Sequence, residues 1–297
     1  GSRPMSNELE MSMIDAGVDV SYFRPLATWR VWRNDKRTHR KILVVDGEQA
    51  FTGGVGIAQE WSGDARHPGE WRDTHFCLKG PVVPMLSAAF LDNWFECGHW
   101  HFEADPPVTA ELPDGVPVQL IRASSTVGWT DIATVLRTAI CMAQSRIWMC
   151  TPYFVPDWQT ISLLREAMER GVEIRLIVPG QHADTPYSRF AGWRRIGSLL
   201  DSGLRLSRYE PTFMHAKILL VDDCVACIGS ANINHRSLSK DEECCAMVIS
   251  ESLVDQLRAD FDHDWSQSQP YTSADWQRRS WVQRCKEQIA TTMVEQL

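Results

Sequence analysis

HRKILVVD, from His39 to Asp46, and HAKILLVD, from His215 to Asp222, are two copies of the pattern H-x-K-x4-D. One such pattern arises by chance in roughly one chain in a hundred of this length. Two copies therefore indicate a duplication. Two histidines in matching frames predict a single site to which each half of the chain contributes.

The two copies match well beyond the motif. An offset of 176 residues, 215 minus 39, carries Gly53 onto Gly229 and Ile57 onto Ile233. Upstream, an offset of 186 residues, 198 minus 12, lays residues 12–23 over residues 198–209. The offsets differ by ten residues, 186 minus 176, which is an insertion in the first copy around WRVWRNDKR, residues 29–37.

Four further segments carry a likeness to a known family, and together with the motifs they cover nearly the whole chain. They are WRDTHFCLKGP (Trp71–Pro81), TPYFVPD (Thr151–Asp157), GVEIRLIVPG (Gly171–Gly180) and GSAN (Gly229–Asn232). With its doubled motif, the chain resembles the phospholipase D superfamily, and its second half is similar to bacterial cardiolipin synthases.

Composition limits the classes of protein and of partner. At 297 residues the chain is long enough for two domains, which we place at residues 1–110 and 111–297, with linker composition at residues 103–118. A net charge of −8 argues against a surface built for nucleic-acid phosphates, which needs an excess of Lys and Arg. The sequence has neither an apolar run of about 18 residues nor the apolar core of a secretion signal, which favours a soluble chain.

Nine cysteines raise the question of a metal site. Cys224 and Cys227 form a C-x-x-C pair, and Cys244 and Cys245 are adjacent, so zinc is one interpretation. Buried, reduced thiols are the other. Both pairs fall in predicted strands, where neighbours and residues three apart point to opposite faces, and this does not favour a shared metal. We therefore expect neither a metal nor a cofactor.

Periodicity predicts an α/β fold. Helical patterns at residues 131–144, 157–170, 188–202 and 251–263 alternate with strand patterns at residues 146–151, 172–178, 204–209, 216–221 and 244–249. Asp157 and Ser250 are the expected N-caps, and the tail from Tyr271 has a helical pattern. Such alternation predicts a mixed sheet flanked by helices. With the resemblance, we expect two phospholipase D-like lobes and an active site at their interface.

The first half begins too late to contain this whole pattern. The upstream offset places Ser6 opposite Gly192, so the segment equivalent to residues 131–181 has no counterpart before His39. A helix, a strand, a second helix and a second strand are missing. We therefore expect the first lobe to be truncated at its N-terminus, with the absent part supplied by a longer protein or by a partner chain.

Strand geometry gives each motif a chemical function. Alternate residues of a strand share a face, so His39 and Lys41 point the same way, as do His215 and Lys217. A phosphodiester reaction needs a nucleophile, an acid for the departing alcohol and positive charge at the phosphoryl oxygens. The two copies supply all three without a metal, so we predict that the matched histidines are catalytic.

The resemblance implies a role for each of these groups. One histidine attacks phosphorus and becomes a phosphohistidine, and we assign His39 to this role. His215 then protonates the leaving group and later deprotonates the acceptor. Lys41 and Lys217 bind phosphoryl oxygens.

Hydrogen bonds to the phosphate are expected to be asymmetric. The resemblance implies that Ser230 and Asn232 add such bonds in the second half. In the first half Gly54 and Gly56 stand at the corresponding positions. Phosphate contacts should therefore come mostly from the second lobe.

Four acidic residues accompany the motifs. Asp46 and Asp222 belong to the family's catalytic motif, but a separation of seven residues from each histidine puts them off the catalytic face, so we expect them to hold a turn. Asp73 and Glu243 align with each other after the motifs, and the resemblance suggests that they orient the imidazoles. The alternative for this second pair is an edge carboxylate in solvent.

We predict a phosphatidyltransferase that acts on glycerophospholipids through a phosphohistidine, with phosphatidylglycerol as substrate and cardiolipin as product. A hydrolytic phospholipase D would use the same residues. A nucleic-acid phosphodiesterase is an alternative from the same superfamily, although we expect no nucleic-acid partner. A non-catalytic piece that depends on a partner is the third class.

A lipid enzyme without a membrane span needs an interfacial face, and aromatic side chains suit it. The candidates are the insertion at residues 29–37, for headgroups, and a cluster formed by Trp94, Phe95, Trp100 and Phe102. Core packing is the competing interpretation of the aromatic cluster. The expected location is the periphery of a bacterial inner membrane, or the cytoplasm.

Overall fold

The computed structural model describes residues 5–25, 36–102, 112–124, 128, 130–184 and 195–292. In these ranges the strands form one sheet of three strands and one of eight. The small sheet comes from the first half of the sequence and the large sheet from the second. Helices pack against both sheets, which confirms the α/β fold class.

The first half is a small antiparallel sheet covered by one long helix. Its elements are helix α1 (Asn7–Asp15), strands β1 (Ile42–Val45), β2 (Gln49–Gly53) and β3 (His75–Lys79), and helix α2 (Val83–Glu96). The strands lie in the order β1-β2-β3. Helix α2 buries Val83, Leu86 and Ala89, whereas α1 buries none of its residues.

The second half is a mixed sheet. Its strands are β4 (Val118–Ala123), β5 (Arg146–Cys150), β6 (Glu173–Pro179), β7 (Arg205–Tyr209), β8 (Ile218–Val221), β9 (Val225–Gly229), β10 (Glu243–Ile249) and β11 (Ser268–Tyr271). They lie in the order β11-β7-β6-β5-β8-β9-β10-β4. The β5-β6 and β6-β7 pairs are parallel, and the other pairs are antiparallel. The predicted mixed sheet is confirmed.

The helices of the second half include two that begin after predicted N-caps and one short helix that was not predicted. They are α3 (Asp131–Met142), α4 (Trp158–Glu169), α5 (His235–Ser239), α6 (Glu251–Ser266), α7 (Ser273–Gln277) and α8 (Trp281–Thr292), and residues 195–201 are also helical. The Asp157 carboxylate accepts from the Thr160 N–H at 2.8 Å, and the Ser250 hydroxyl accepts from the Leu253 N–H at 3.2 Å. Both predicted N-caps are confirmed.

Two strands of the large sheet, β4 and β11, were not predicted. β11 pairs antiparallel with β7 at the edge of the sheet, although it contains Pro270 and polar residues. An edge strand needs hydrogen bonds on one side only, so a proline is tolerated there. Periodicity does not detect such a strand because its position in the sheet, and not an apolar pattern, stabilises it.

The duplication is visible in three dimensions. β1 and β2 correspond to β8 and β9, and the aspartate that follows the first strand of each hairpin has a positive φ, 53° at Asp46 and 52° at Asp222. Helices α2 and α6 also correspond, at an offset of 171 residues, 254 minus 83. This offset aligns Val83, Leu86, Phe90 and Trp94 with Val254, Leu257, Phe261 and Trp265.

Candidate active site

Each motif histidine lies just before its strand, on a segment that pairs with the other half. The His39 N–H donates to the Glu242 carbonyl at 2.9 Å, and Thr38 forms a parallel bridge with Glu242. The His215 N–H donates to the Arg72 carbonyl at 2.7 Å. The two halves therefore meet at the histidines, and backbone hydrogen bonds fix their separation.

The imidazoles are held by carboxylates in a crossed arrangement. His39 Nδ1 lies 3.0 Å from Glu243 Oε1, and His215 Nδ1 lies 2.6 Å from Asp73 Oδ2. Each histidine thus binds the carboxylate of the opposite half. The structure brings together the four residues that the sequence singled out, and it places both carboxylates in the interior instead of at a solvent edge.

The carboxylates are anionic despite their burial. Burial raises the pKa of Glu243, but His39, Lys41 and the Ser230 hydroxyl outweigh it and lower that pKa to about 2. For Asp73, burial is likewise outweighed by the hydrogen bond to His215 and by Lys217, so its pKa is lowered. A carboxylate bound to Nδ1 leaves Nε2 of the imidazole as the nitrogen available for chemistry.

A steric constraint explains why glycine, and not serine, stands at position 54 of the first half. A Cβ at Gly54 would lie 2.2 Å from Asp73 Oδ1, so the serine found at the equivalent position of the second half cannot be accommodated. In the second half the Ser230 hydroxyl donates to Glu243 at 2.5 Å. In the first half the Trp61 indole N–H donates to Asp73 at 3.1 Å instead. Each carboxylate therefore has a neutral side-chain donor, but a different one.

We expect Gly54→Ala to lower activity at least tenfold, because its Cβ must displace the Asp73 carboxylate that holds His215. Gly69→Ala is the matched control, since a Cβ there meets nothing within 4 Å. Steady-state kinetics of both variants, with thermal unfolding to monitor folding, measure the effect. Equal activity of the two variants would contradict the prediction.

Each motif lysine contacts the backbone carbonyl of the histidine two residues before it. Lys217 Nζ is 2.6 Å from the His215 carbonyl and 3.0 Å from each ring nitrogen of His215, and Lys41 Nζ is 2.9 Å from the His39 carbonyl. Burial lowers the pKa of Lys217, and repulsion from Lys41 adds to this, so that the pKa is about 7 in spite of Asp73. Burial also lowers the pKa of Lys41. The nearby carboxylates do not fully offset the cost of burying these two positive charges. An anionic ligand would therefore stabilise the charged lysines.

Both imidazoles are neutral at neutral pH. Burial lowers the pKa of His39, and the attraction of Glu243 does not compensate. Burial and the charge of Lys217 lower the pKa of His215 to about 3. His39 is the more accessible of the two, with 29% of its side chain exposed against 7% for His215.

The activity of the unliganded site should fall as the pH rises through about 7. Lys217 is charged below its lowered pKa and neutral above it, and only the charged form attracts an anionic ligand. We expect kcat/KM to show this alkaline decline. The midpoint in kcat should lie higher, since a bound anion stabilises the charged lysine. The control is Lys79→Met, which removes an exposed lysine and should leave the pH profile unchanged. A flat kcat/KM profile across neutral pH would contradict the assignment of the decline to Lys217.

Ser230 and Asn232 differ in what they offer a ligand. The Ser230 hydroxyl already donates to Glu243 and accepts from the Cys244 N–H at 3.1 Å, so it positions the carboxylate. Asn232 is 3% exposed and donates to the Ser237 hydroxyl at 3.3 Å, while among the described residues its Oδ1 has no partner. Asn232 is therefore the open polar group of this pair.

Of the two motif aspartates, Asp222 has contacts that lie away from the histidine and lysine of its motif. Asp222 Oδ1 accepts from the N–H groups of Ser145 at 2.7 Å and Arg146 at 3.1 Å, and Oδ2 accepts from Gln144 at 3.0 Å. Asp222 thus anchors the start of β5, at the end of β8 opposite to His215. The strand geometry predicted this structural role, and grouping Asp222 with the catalytic residues is not supported by its contacts.

An aromatic wall around His215 was not predicted. The ring centroids of Trp71, Trp61 and Phe213 lie 5.1, 5.5 and 5.5 Å from that of His215. The tryptophans come from the first half and Phe213 from the second. Phe213 lies two residues before the second motif and Trp71 opens a segment that carries the family resemblance, but periodicity does not show which half an aromatic residue will contact.

The adjacent residues Cys244 and Cys245 face opposite sides of their strand, as strand geometry predicted. Cys244 packs with Ala50 and Leu86 of the first half, whereas Cys245 packs in the core of the second half with Cys227. Across the described residues, no group of three or more His, Cys, Asp or Glu side chains is arranged to hold a metal.

Most of the predicted headgroup insertion, residues 29–35, lies outside the described residues.

Comparison with known proteins agrees with this geometry. Residues 136–265 match the family model described as "Cardiolipin synthase, PLD-like domain". The chain is 32% identical to cardiolipin synthase 1 of Bacillus anthracis over 97% of its own length. The chain belongs to the phospholipase D superfamily. Over 98% of its length this superfamily member is also 32% identical to cardiolipin synthase A of Pseudomonas putida strain W619.

The chain spans 58% and 60% of the length of these two relatives. Among solved structures, it resembles the phosphatidylserine synthase of Haemophilus influenzae Rd KW20. The TM-score is 0.65 at 14% identity, over 88% of this chain and 71% of that one, which shows a shared fold. In the part of the chain that the structure describes, no helix is long and apolar enough to cross a membrane.

Proposed function

We propose that the chain supplies both catalytic histidines of a phosphatidyltransferase that makes cardiolipin from phosphatidylglycerol. The observation that carries the proposal is the crossed pair, His39 with Glu243 and His215 with Asp73, at the junction of the two halves. Two oriented imidazoles and two lysines meet the needs of phosphodiester exchange. The similarity to two cardiolipin synthases supports this choice of reaction.

In the proposed reaction, His39 Nε2 attacks phosphorus and the bond from phosphorus to the glycerol oxygen breaks. His215 gives its proton to that oxygen, and a phosphatidyl-histidine forms. An acceptor hydroxyl then gives its proton to His215 and attacks phosphorus, which releases His39. The proton and the phosphatidyl group are both conserved over the cycle.

Two features support His39 as the nucleophile. Its Nδ1 is bound by Glu243, and its side chain is the more exposed one, so Nε2 can reach a substrate. In His215 both ring nitrogens lie 3.0 Å from Lys217 Nζ. A bound phosphodiester would draw Lys217 toward its oxygens and add negative charge, and both effects raise the pKa of His215 so that it can serve as the acid.

The test is to incubate the chain with vesicles of phosphatidylglycerol labelled in the phosphatidyl group, quench in alkali and map the labelled peptide. Label on the peptide that contains His39, together with labelled cardiolipin, supports the proposal. Label and phosphatidic acid without cardiolipin would indicate a hydrolytic phospholipase D. Cleavage of an oligonucleotide without release of glycerol would indicate a nuclease, and the doubly substituted His39→Asn, His215→Asn chain is the blank.

We place this activity at the surface of a bacterial membrane. The side chains of Trp100, Phe102 and Phe95 are 78%, 46% and 37% exposed, and aromatic side chains favour a lipid interface. Cosedimentation with phosphatidylglycerol vesicles measures the association. Trp100→Ala should weaken it, whereas Trp158→Ala, an equally exposed tryptophan on α4, should not.

We also propose that a strand-helix-strand segment outside these 297 residues completes the first sheet along the edge of β1 that no described strand pairs with. The corresponding strand β8 pairs on that side with β5, and its Leu219 and Val221 are each 4% exposed. In β1, Leu43 and Val45 are 56% and 40% exposed. An open apolar edge of this kind favours pairing with another strand.

Two further correspondences support the same segment. Asp222 binds three backbone N–H groups before β5, and Asp46 has the same backbone conformation at the equivalent position of the first half. Phe261 is 3% exposed and stacks on Trp148 of β5 at 5.0 Å, whereas its counterpart Phe90 is 41% exposed. The segment should therefore supply free N–H groups to Asp46 and an aromatic residue to Phe90.

Leu43→Lys tests this completion. It should leave the stability of the present chain nearly unchanged, because Leu43 is exposed here. In a longer form that contains the completing segment, the same substitution should destabilise by several degrees in Tm. An equal effect in both forms would show that the edge remains open.

A further inference from the structure

Two polar side chains lie beyond the carboxyl ends of neighbouring parallel strands, next to the catalytic lysine. Tyr153 follows β5 and Asp184 follows β6, and the Tyr153 hydroxyl donates to the Asp184 carboxylate. In open α/β sheets, ligands bind outside the carboxyl ends of the strands. The position of this pair is thus one at which a ligand is expected.

The pair is tied to the active site through Thr151. Cys150 of β5 faces Ile218 of β8, so Thr151 and Lys217 are the next residues at that end of the two strands, and both line one small cavity. The Thr151 hydroxyl donates to the Tyr153 carbonyl at 3.4 Å. Asp184 is close enough to Lys217 for its charge to oppose the lowering of the lysine's pKa.

The next residues of this loop run along the other wall of the site. The Val155 N–H donates to the Ile233 carbonyl at 2.8 Å, and Val155 bridges to Asn234. Asn232, with its unpartnered Oδ1, lies in that same wall. Tyr153 therefore lies between the strand that carries Lys217 and the segment that carries Asn232.

The charge of Asp184 indicates what kind of group binds there. Its side chain is exposed, and a carboxylate accepts hydrogen bonds from hydroxyl groups but repels a phosphodiester. The pair lies on the His215 side of the site, and His215 is the group to which we assign proton exchange with the departing and arriving alcohols.

From this arrangement we propose that Tyr153 and Asp184 form the acceptor subsite, which binds the second hydroxyl of an incoming vicinal diol and holds its primary hydroxyl toward His215. This inference rests on the phosphatidyltransferase function proposed above. The subsite favours a glycerol headgroup over water as acceptor. It also repels the acceptor's own phosphate, so that the free end of the glycerol faces the phosphohistidine.

The experiment measures how the phosphatidyl enzyme partitions between glycerol and water. With vesicles of phosphatidylglycerol labelled in its headgroup glycerol, and with added glycerol that carries a different isotope, we expect Asp184→Asn to lower the ratio of transfer to hydrolysis at least tenfold, and Tyr153→Phe to lower it less. The total rate of headgroup release, measured about one pH unit below the pKa of Lys217 so that the lysine stays charged without Asp184, should stay within about twofold, because the donor half-reaction does not otherwise use the pair. Asp201→Asn, which changes an exposed carboxylate bound to Ser273, is the matched control.

Acceptor chemistry provides a second comparison. The unsubstituted chain should prefer 1,2-propanediol to 1-propanol, and Asp184→Asn should lose that preference. An unchanged ratio with normal headgroup release would overturn the acceptor subsite while leaving the proposed function intact. Loss of headgroup release in Asp184→Asn would also overturn it, because the residue would then serve the donor step.

A binding measurement does not depend on turnover. Saturation-transfer NMR should show contact of glycerol, in excess over 1-propanol, with the unsubstituted chain and with Asp201→Asn, but not with Asp184→Asn. Equal signals for glycerol in all three proteins would overturn the subsite even if the chain proved inactive. Absence of headgroup release by the unsubstituted chain would count against the proposed function separately.

Discussion

His39→Asn and His215→Asn are each expected to lower the rate of phosphatidyl transfer by at least about four orders of magnitude. Asparagine keeps a polar group near the position of Nδ1 but has no equivalent of Nε2, the nitrogen that attacks or carries the proton. Transfer from labelled phosphatidylglycerol measures the loss. Circular dichroism and Tm should show that both variants fold, since neither change removes a backbone hydrogen bond between the halves.

The two variants should differ on an activated substrate. A p-nitrophenyl phosphodiester needs no acid for its leaving group, so His215→Asn should release p-nitrophenol at a measurable rate and accumulate the phosphohistidine. His39→Asn should release none, because it has no nucleophile. The opposite result would reverse the assigned roles of the histidines while leaving the two-histidine site in place.

Glu243→Gln is expected to lower transfer by about two to four orders of magnitude. The carboxylate is fully buried, binds His39 Nδ1 at 3.0 Å and keeps its charge with a pKa of about 2. An amide can donate to Nδ1 and so stabilise the tautomer in which Nε2 carries the proton and cannot attack. The Ser230 hydroxyl, which donates to Glu243, cannot compensate for the lost charge.

The crossed arrangement makes this prediction specific. Nitrogen-15 NMR of the imidazoles should show that Glu243→Gln changes the tautomer and lowers the pKa of His39 further, because the attraction that opposes burial is removed. The signals of His215 should hardly change. Asp73→Asn is the matched variant and should affect His215 and not His39. A change confined to the histidine of the same half would show that the pairing is not crossed.

Local features of the sequence predicted much of the fold. The N-caps Asp157 and Ser250 lie where short-range hydrogen bonding places them, and the alternation of helix and strand patterns gave the mixed sheet. Strand β11 escaped prediction because pairing with β7 stabilises it, and pairing is not a local property. The sequence predicted a missing phosphate contact at Gly54. The structure shows that glycine is required there because the Asp73 carboxylate approaches its Cα closely.

Some features of the site also followed from local sequence, whereas others required the tertiary structure. The motif spacing alone put each histidine on the same face as its lysine and moved Asp222 away from them, since the two-residue period of a strand follows from its backbone geometry. The aromatic wall formed by Trp61, Trp71 and Phe213 required the two halves to be docked. So did the acceptor subsite, which joins the ends of two strands that are separated along the chain.

By itself, the sequence determined that two matched His-Lys strands exist and that four acidic residues accompany them, because repetition and period are properties of neighbours along the chain. Only the tertiary structure decided which carboxylate each histidine meets. His39 and Glu243 are 204 residues apart, and His215 and Asp73 are 142 apart. Both pairs form because parallel bridges join the two halves, one between Thr38 and Glu242 and one between Arg72 and Met214. The energy of such contacts depends on the docking of two sheets, which no local pattern contains.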